Sequence, residues 1–212
     1  MTKIEQIQEA IFKAEHKQSK LTPLAFAVPA LSSLMLRALM NNLGSISTRY
    51  MENGVHKAGL FCSAICNNPN LISVTAIDSW ASDETNEDKA EPQFDENVTM
   101  LKPINTTLQK IKRDSFAIDP TEINGPIDLY LYDSDHSEVC QYNALLHYLP
   151  CLADEFIWCV DDLDFTEVIA GTERALKDAP VEVLFRYDFK GNDHDNMGAW
   201  NGFAVFLLKK KQ

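Results

Sequence analysis

The sequence predicts an α/β fold: a mostly parallel seven-stranded sheet with helices on both faces and an antiparallel last strand. Three observations lead there. Short apolar runs alternate with helical patterns from Thr48 to Leu176, and strands joined by helical crossovers pair in parallel. Leu71–Ile77 is β-branched and apolar, as a strand covered on both faces is. Val181–Tyr187 and Gly202–Leu208 are joined by a polar, non-helical stretch, KGNDHDNMGAWN, which reads as an antiparallel pair at the end of the sheet.

Taken in order, residues 3–20 form an amphipathic pattern with Ile4, Ile7, Ile11 and Phe12 on one side. A second helix is expected over Ser32–Leu43, capped by Ser32 or Ser33 and ending near Gly44. These two make an N-terminal extension, residues 1–43, before a main domain over 44–212. The apolar second helix can pack on the sheet or support a homo-oligomer. Strands follow at Thr48–Glu52, Leu71–Ile77, Thr106–Lys112, Ile127–Tyr132 and Phe156–Val160. Helices are expected over Lys57–Cys66, Phe94–Leu101, Ser137–Leu149 and Phe165–Leu176, with an acidic loop at 82–93.

Composition narrows the function. The chain has 212 residues, 45% of them hydrophobic, enough for one large domain with a sizeable core. The net charge is −12, and acids crowd 83–96. Nucleic-acid binding needs a basic face, and the basic cluster here is Lys209–Lys211 at the tail, so no nucleic-acid partner is expected. The apolar stretch Leu21–Met40 is broken by Pro23, Pro29, Ser32, Ser33 and Arg37. It falls short of the ~18–20 residue run of a membrane helix. The charged N-terminus lacks a secretory pattern, so the expected location is cytoplasmic. Five cysteines, odd in number and mostly in apolar segments, read as reduced buried thiols. Cys62 and Cys66 lie one helical turn apart, but no further ligand follows closely.

The chemistry sits at the strand ends, where open α/β sheets bind ligands. Each of the first five strands ends in at least one carboxylate: Glu52, Asp78, Asp114, Asp133 with Asp135, and Asp161 with Asp162. Gly54 permits a sharp turn and close backbone approach of a ligand. Asp78 lies 24 residues later, where an acid accepts ribose hydroxyls. Trp80 can wall an adenine or fill the core. A nicotinamide dinucleotide wants G-x-G-x-x-G. The stretch ENGVHKAG lacks the first glycine and places Glu52 where a pyrophosphate would be repelled. S-adenosylmethionine has no phosphate and carries an ammonium and a sulfonium, which suit an acidic turn.

The run E-x-G-(x)3-A-G at 52–59, I-D-S-W at 77–80, D-S at 114–115, D-x-D-H at 133–136 and V-D-D at 160–162 resembles the class I S-adenosylmethionine-dependent methyltransferases, within them the branch of macrocin-type sugar O-methyltransferases. The resemblance spans 43–208 and implies a Rossmann-like methyltransferase fold. It implies Glu52 and Gly54 beside the methionine part of the cofactor, Asp78 on the ribose, and Asp114 with Ser115 on the adenine. It implies Mg2+ on Asp133, Asp161 and Asp162, with Asp133 bordering the cofactor too, and Asp135 as general base. His136 stays open as base, cofactor contact or helix-start residue, and Asp161–Asp162 as a helix cap. Ala58, Asn53 and Ser134 depart from the family pattern. Magnesium takes hard oxygens, and a bound cation acidifies a hydroxyl that a carboxylate or imidazole then deprotonates. The expected activity is Mg-assisted O-methylation of a small, hydroxylated, sugar-like acceptor. A metal-independent methyltransferase and a non-catalytic S-adenosylmethionine-binding protein are the alternatives. His147 reads as a core-edge residue and His16 as exposed. His194 lies in the 190–201 connection, which either covers the substrate site or simply joins two strands.

Overall fold

The computed structural model describes residues 1–81, 89–192 and 195–211. Seven strands form one sheet: β1 (Arg49–Asn53), β2 (Ser73–Asp78), β3 (Thr107–Lys112), β4 (Ile127–Tyr132), β5 (Leu152–Asp161), β6 (Val181–Phe189) and β7 (Phe203–Lys210). Their spatial order is β3-β2-β1-β4-β5-β7-β6. The first five pair in parallel, with Glu52 opposite Ala76 on one side and Leu131 on the other. β7 runs antiparallel to both β5 and β6. The last strand therefore inserts between its two predecessors.

The order has one functional consequence. The chain winds outward from β1 through β2 to β3, then returns to place β4 on the other side of β1. The helices that follow β1 and β4 consequently leave on opposite faces and open a crevice above those two strand ends.

Strand alternation divides the core in two. Tyr50, Val74, Leu129, Leu131, Cys159 and Val205 face one side, while Met51, Tyr130, Tyr132, Trp158, Val160 and Phe206 face the other. The first side is covered by α1 (Lys3–Glu15), α3 (Leu34–Gly44), α4 (Gly59–Ile65) and α5 (Ala90–Leu101), the second by α6 (Glu138–Tyr148) and α7 (Thr166–Asp178). Ile7, Ile11, Leu39 and Leu43 of the N-terminal helices join the same buried cluster as Tyr50 and Leu131. Residues 1–43 thus complete one face of the sheet.

Local chemistry sets the element ends. α1 opens on a capping box, the Glu5 N–H donating to Thr2 and the Thr2 N–H to Glu5. It stops at Glu15, short of the expected Lys20, because Lys17 turns left-handed at φ 58°. Ser33, not Ser32, caps α3. α2 (Pro23–Ala27) is a short helix that the sequence reading left out; Thr22 caps it and Pro23 fills its first turn. α5 begins at Ala90, inside the segment expected as loop, while 82–88 lie outside the described residues. All five cysteines are free, four of them buried. No helix among the described residues is long and apolar enough to cross a membrane.

Candidate active site

The crevice between β1 and β4 is held open by Gly54. Its φ is 92°, and a Cβ there would stand 1.7 Å from the carbonyl oxygen of Asp133. Only glycine permits that approach. Its N–H donates to the Ile77 carbonyl at 2.8 Å, and the Asp133 N–H donates to the Asn53 carbonyl at 2.9 Å. The turn then leads to α4 through His56 and Ala58, both left-handed at φ 45° and 71°. Ala58 does a glycine's work with a methyl group attached. A Cβ on Gly59 would meet the Ala30 Cβ at 2.4 Å, so the 29–32 segment lies directly on the start of α4.

Asp78 stitches this turn to the end of β2. Its carboxylate accepts the His56 N–H at 2.9 Å and the Trp80 N–H at 2.7 Å. The Trp80 indole donates to the His56 carbonyl at 2.9 Å. Trp80 is only 2% exposed. It packs on Phe94 at 5.3 Å with the Lys110 ammonium 4.9 Å from its ring, a core position and not a wall of the crevice.

The crevice is a cavity of about 430 Å³. The 29–32 segment, Leu60 and Trp200 form its flanks, and Glu52, Asp133, Asp161 and Asp162 supply acid. Glu52 is 1% exposed and accepts a hydrogen bond from the Tyr50 hydroxyl. Burial pushes its pKa up to about 8 against that hydrogen bond, with help from the negative charges of Asp161 and Asp78. Burial, then neighbouring acids, also raises Asp133 and Asp161 well above the usual carboxylate range. Crowded acids in a cleft favour a cationic ligand, which relieves their mutual repulsion.

Asp133, His136 and Asp162 bring one ligand atom each within 4.8 Å of one another. His136 Nε2 stands 2.9 Å from Asp162 Oδ2, and Asn201 Nδ2 donates to Asp162 Oδ1 at 2.8 Å. Asp161 lines the same cavity, with one oxygen accepting the Asp162 N–H at 3.0 Å. That spacing lets a single divalent cation reach two carboxylates and an imidazole.

Other residues expected at the site stand apart from this cavity. Asp135 is exposed and accepts the Ser137 N–H at 2.9 Å, and its bonds to Ser137 hold it below the usual carboxylate range. Asp114 accepts the Phe116 N–H at 2.9 Å, and Ser115 Oγ donates to Asn53 at 2.6 Å; both lie just beyond β3. The sequence reading named neither the 29–32 segment nor Lys57 as site residues. Asn201 it covered only as part of the 190–201 connection, offered as a cover of the substrate site, and Trp200 and Asn201 of that connection do line the cavity. Asn201 had a readable signal, since it closes the polar connection into β7. His194 lies outside the described residues.

No family model matches the sequence, and no curated protein matches it. Solved structures do match the fold. An O-methyltransferase from Bacillus cereus in complex with SAH superposes with a TM-score of 0.59 at 14% identity, over 99% of this chain and 93% of that one. Cofactor-bound Rv0187 from MTB gives 0.62 at 15% identity, over 97% and 90%. The precorrin 8w decarboxylase from Methanobacterium thermoautotrophicum gives 0.54 at 17% identity, over 86% and 93%. The architecture is the Rossmann-like methyltransferase fold.

Proposed function

We propose that the chain is an S-adenosylmethionine-dependent methyltransferase acting on a hydroxyl of a small acceptor. The observation that carries the reading is the acid-floored cavity at the topological switch point, closed against Asp133 by an obligatory glycine. The cofactor's sulfonium and ammonium are the cations that such a floor attracts. Shared fold alone fixes no reaction, but one neighbour is an O-methyltransferase holding SAH, the product such a cofactor leaves.

In this reading Glu52 and the Gly54 turn receive the methionine moiety. Asp78, tied to His56 and Trp80 by backbone N–H groups, presents its carboxylate to the ribose. Asp114 and Ser115, beyond β3, mark the adenine side. The acceptor enters between the 29–32 segment and Trp200, over Asp133. Methyl transfer is then chiefly positioning, with the acceptor oxygen in line with the sulfonium methyl. A divalent ion on Asp133 and Asp162 would acidify the acceptor hydroxyl; the resemblance puts Mg2+ there, with Asp161 as a third ligand. Of the two bases expected from sequence, Asp135 is engaged at the start of α6. In this reading Asp161, outside the His136 trio but lining the cavity, takes the proton. The flanks Pro29, Leu31, Leu60 and Trp200 give the acceptor an apolar side as well as a hydroxyl.

Calorimetric titration with S-adenosylmethionine and SAH tests the cofactor half; absence of heat with both sinks it. Transfer of a labelled methyl group to a pool of hydroxylated small molecules tests the reaction. Binding without transfer leaves a cofactor-binding protein.

A further inference from the structure

The three donors that come within 4.8 Å of one another at the cavity are not the all-oxygen set that a magnesium ion prefers. Mg2+ takes octahedral oxygen ligands and keeps several waters, whereas imidazole nitrogen suits zinc and the later first-row ions. Here the third donor beside Asp133 and Asp162 is His136.

The placement of these donors follows from the backbone. Asp162 sits in the left-handed region at φ 55°, a conformation that aspartate tolerates and that clusters at functional sites. Its N–H points back to Asp161 at 3.0 Å, while its own carboxylate reaches His136. Asp161, the last residue of β5, and Asp162 just beyond it thereby reach different partners within the same cavity. Asn201 fixes Asp162 Oδ1 at 2.8 Å and leaves Oδ2 facing His136 Nε2 at 2.9 Å. A second-shell amide of this kind orients a ligating carboxylate. The His136 ring is steadied by Phe165, centroids 5.5 Å apart. An imidazole nitrogen and a carboxylate oxygen this close need a proton or a cation between them.

We propose that Asp133, His136 and Asp162 form a three-ligand site for a divalent cation that accepts imidazole, Zn2+ or Co2+ in preference to Mg2+, with Asn201 as the residue that positions Asp162. Three protein ligands leave coordination positions open for a substrate oxygen, the arrangement of catalytic zinc sites. The inference keeps the ion site of the proposed function, replaces the Mg2+ that the resemblance put there, and is independent of the cofactor half.

The test uses the 212-residue chain stripped with chelator, then titrated separately with Zn2+, Co2+ and Mg2+ by calorimetry, with the visible absorption of Co2+ as a second readout. One ion per chain is expected, with Zn2+ and Co2+ bound at least about 100-fold more tightly than Mg2+. His136→Ala should lower Zn2+ affinity ~100-fold, Asn201→Ala ~10-fold, and both should change the Co2+ spectrum. Asp161→Asn should leave Zn2+ affinity within about twofold. Thermal melts establish that each variant is folded, and His136→Gln serves if the alanine variant is not. Tighter Mg2+ binding that ignores His136 but fails in Asp161→Asn would return the ion to the all-carboxylate set and overturn the inference. No binding of any ion would mean that a proton fills the His136–Asp162 gap. A parallel titration with S-adenosylmethionine shows whether the cofactor reading survives either failure.

Discussion

Gly54 and Asp78 do different work from what their positions in the sequence convey. Glycine at 54 is readable as a turn, but the reason it cannot change is Asp133, 79 positions further along and 1.7 Å from where a Cβ would stand. Gly54→Ala should therefore push β1 and β4 apart at their ends, lowering stability by about 2–4 kcal/mol and abolishing measurable S-adenosylmethionine binding. Urea melts and calorimetry read the two effects, and wild-type values for both would refute the argument. Ala58 predicts the opposite sign. It holds φ 71° with a side chain, so Ala58→Gly should stabilise the fold by up to about 1 kcal/mol. Trp80 shows the limit of reading a site from neighbours in sequence. Its proximity to Asp78 was legible, yet which way the indole falls depends on Phe94 and Lys110, which no local pattern discloses. Asp135 and His136 are similar: adjacent in sequence, one is spent on a helix start and the other faces the cavity.

At the scale of elements, strands and long helices were legible because period and apolar content set them. The short α2 was not, since a five-residue helix has no period to detect and its existence depends on Arg37. That guanidinium is 3% exposed and reaches three carbonyls of 25–28 as well as the Ser63 hydroxyl at 3.0 Å. Arg37 so pegs the segment preceding the cavity flank to α4, the helix that starts at the Gly54 turn. Arg37→Met should leave those carbonyls unsatisfied and cost about 2–4 kcal/mol. If the fold survives, the flank at 29–32 loosens, and acceptor KM should rise more than kcat falls. Equal losses in both would assign Arg37 to stability alone. The N-terminal helices read from sequence as an extension because they precede the strand–helix alternation; their burial against Tyr50 and Leu131 is tertiary and carries no local signature.

For the whole molecule, charge and pH are linked through the same cavity. The net charge is −12, and Glu52, Asp133 and Asp161 all titrate above their ordinary range. The sheet order explains this: β1, β4 and β5 are neighbours, so three strand-end acids that look well separated in sequence converge. For Glu52 the folded pKa of about 8 exceeds the ordinary 4.5, so the folded protein binds more protons than the unfolded chain between those values. Stability then falls as pH rises. The contribution is fully present below about pH 4.5 and is lost by about pH 8, on the order of 3–5 kcal/mol across the window. Melting temperature should therefore drop steadily from pH 5 to pH 8.5, and Glu52→Gln, which keeps an acceptor for the Tyr50 hydroxyl, should flatten the Glu52 part of that slope and leave the part that Asp133 and Asp161 carry. Because a cationic ligand neutralises the same floor, saturating S-adenosylmethionine should raise the melting temperature more at pH 8.5 than at pH 5.5. A ligand-induced shift that is equal at both pH values would separate binding from the acids of the cavity, and with it the electrostatic basis of the proposed function.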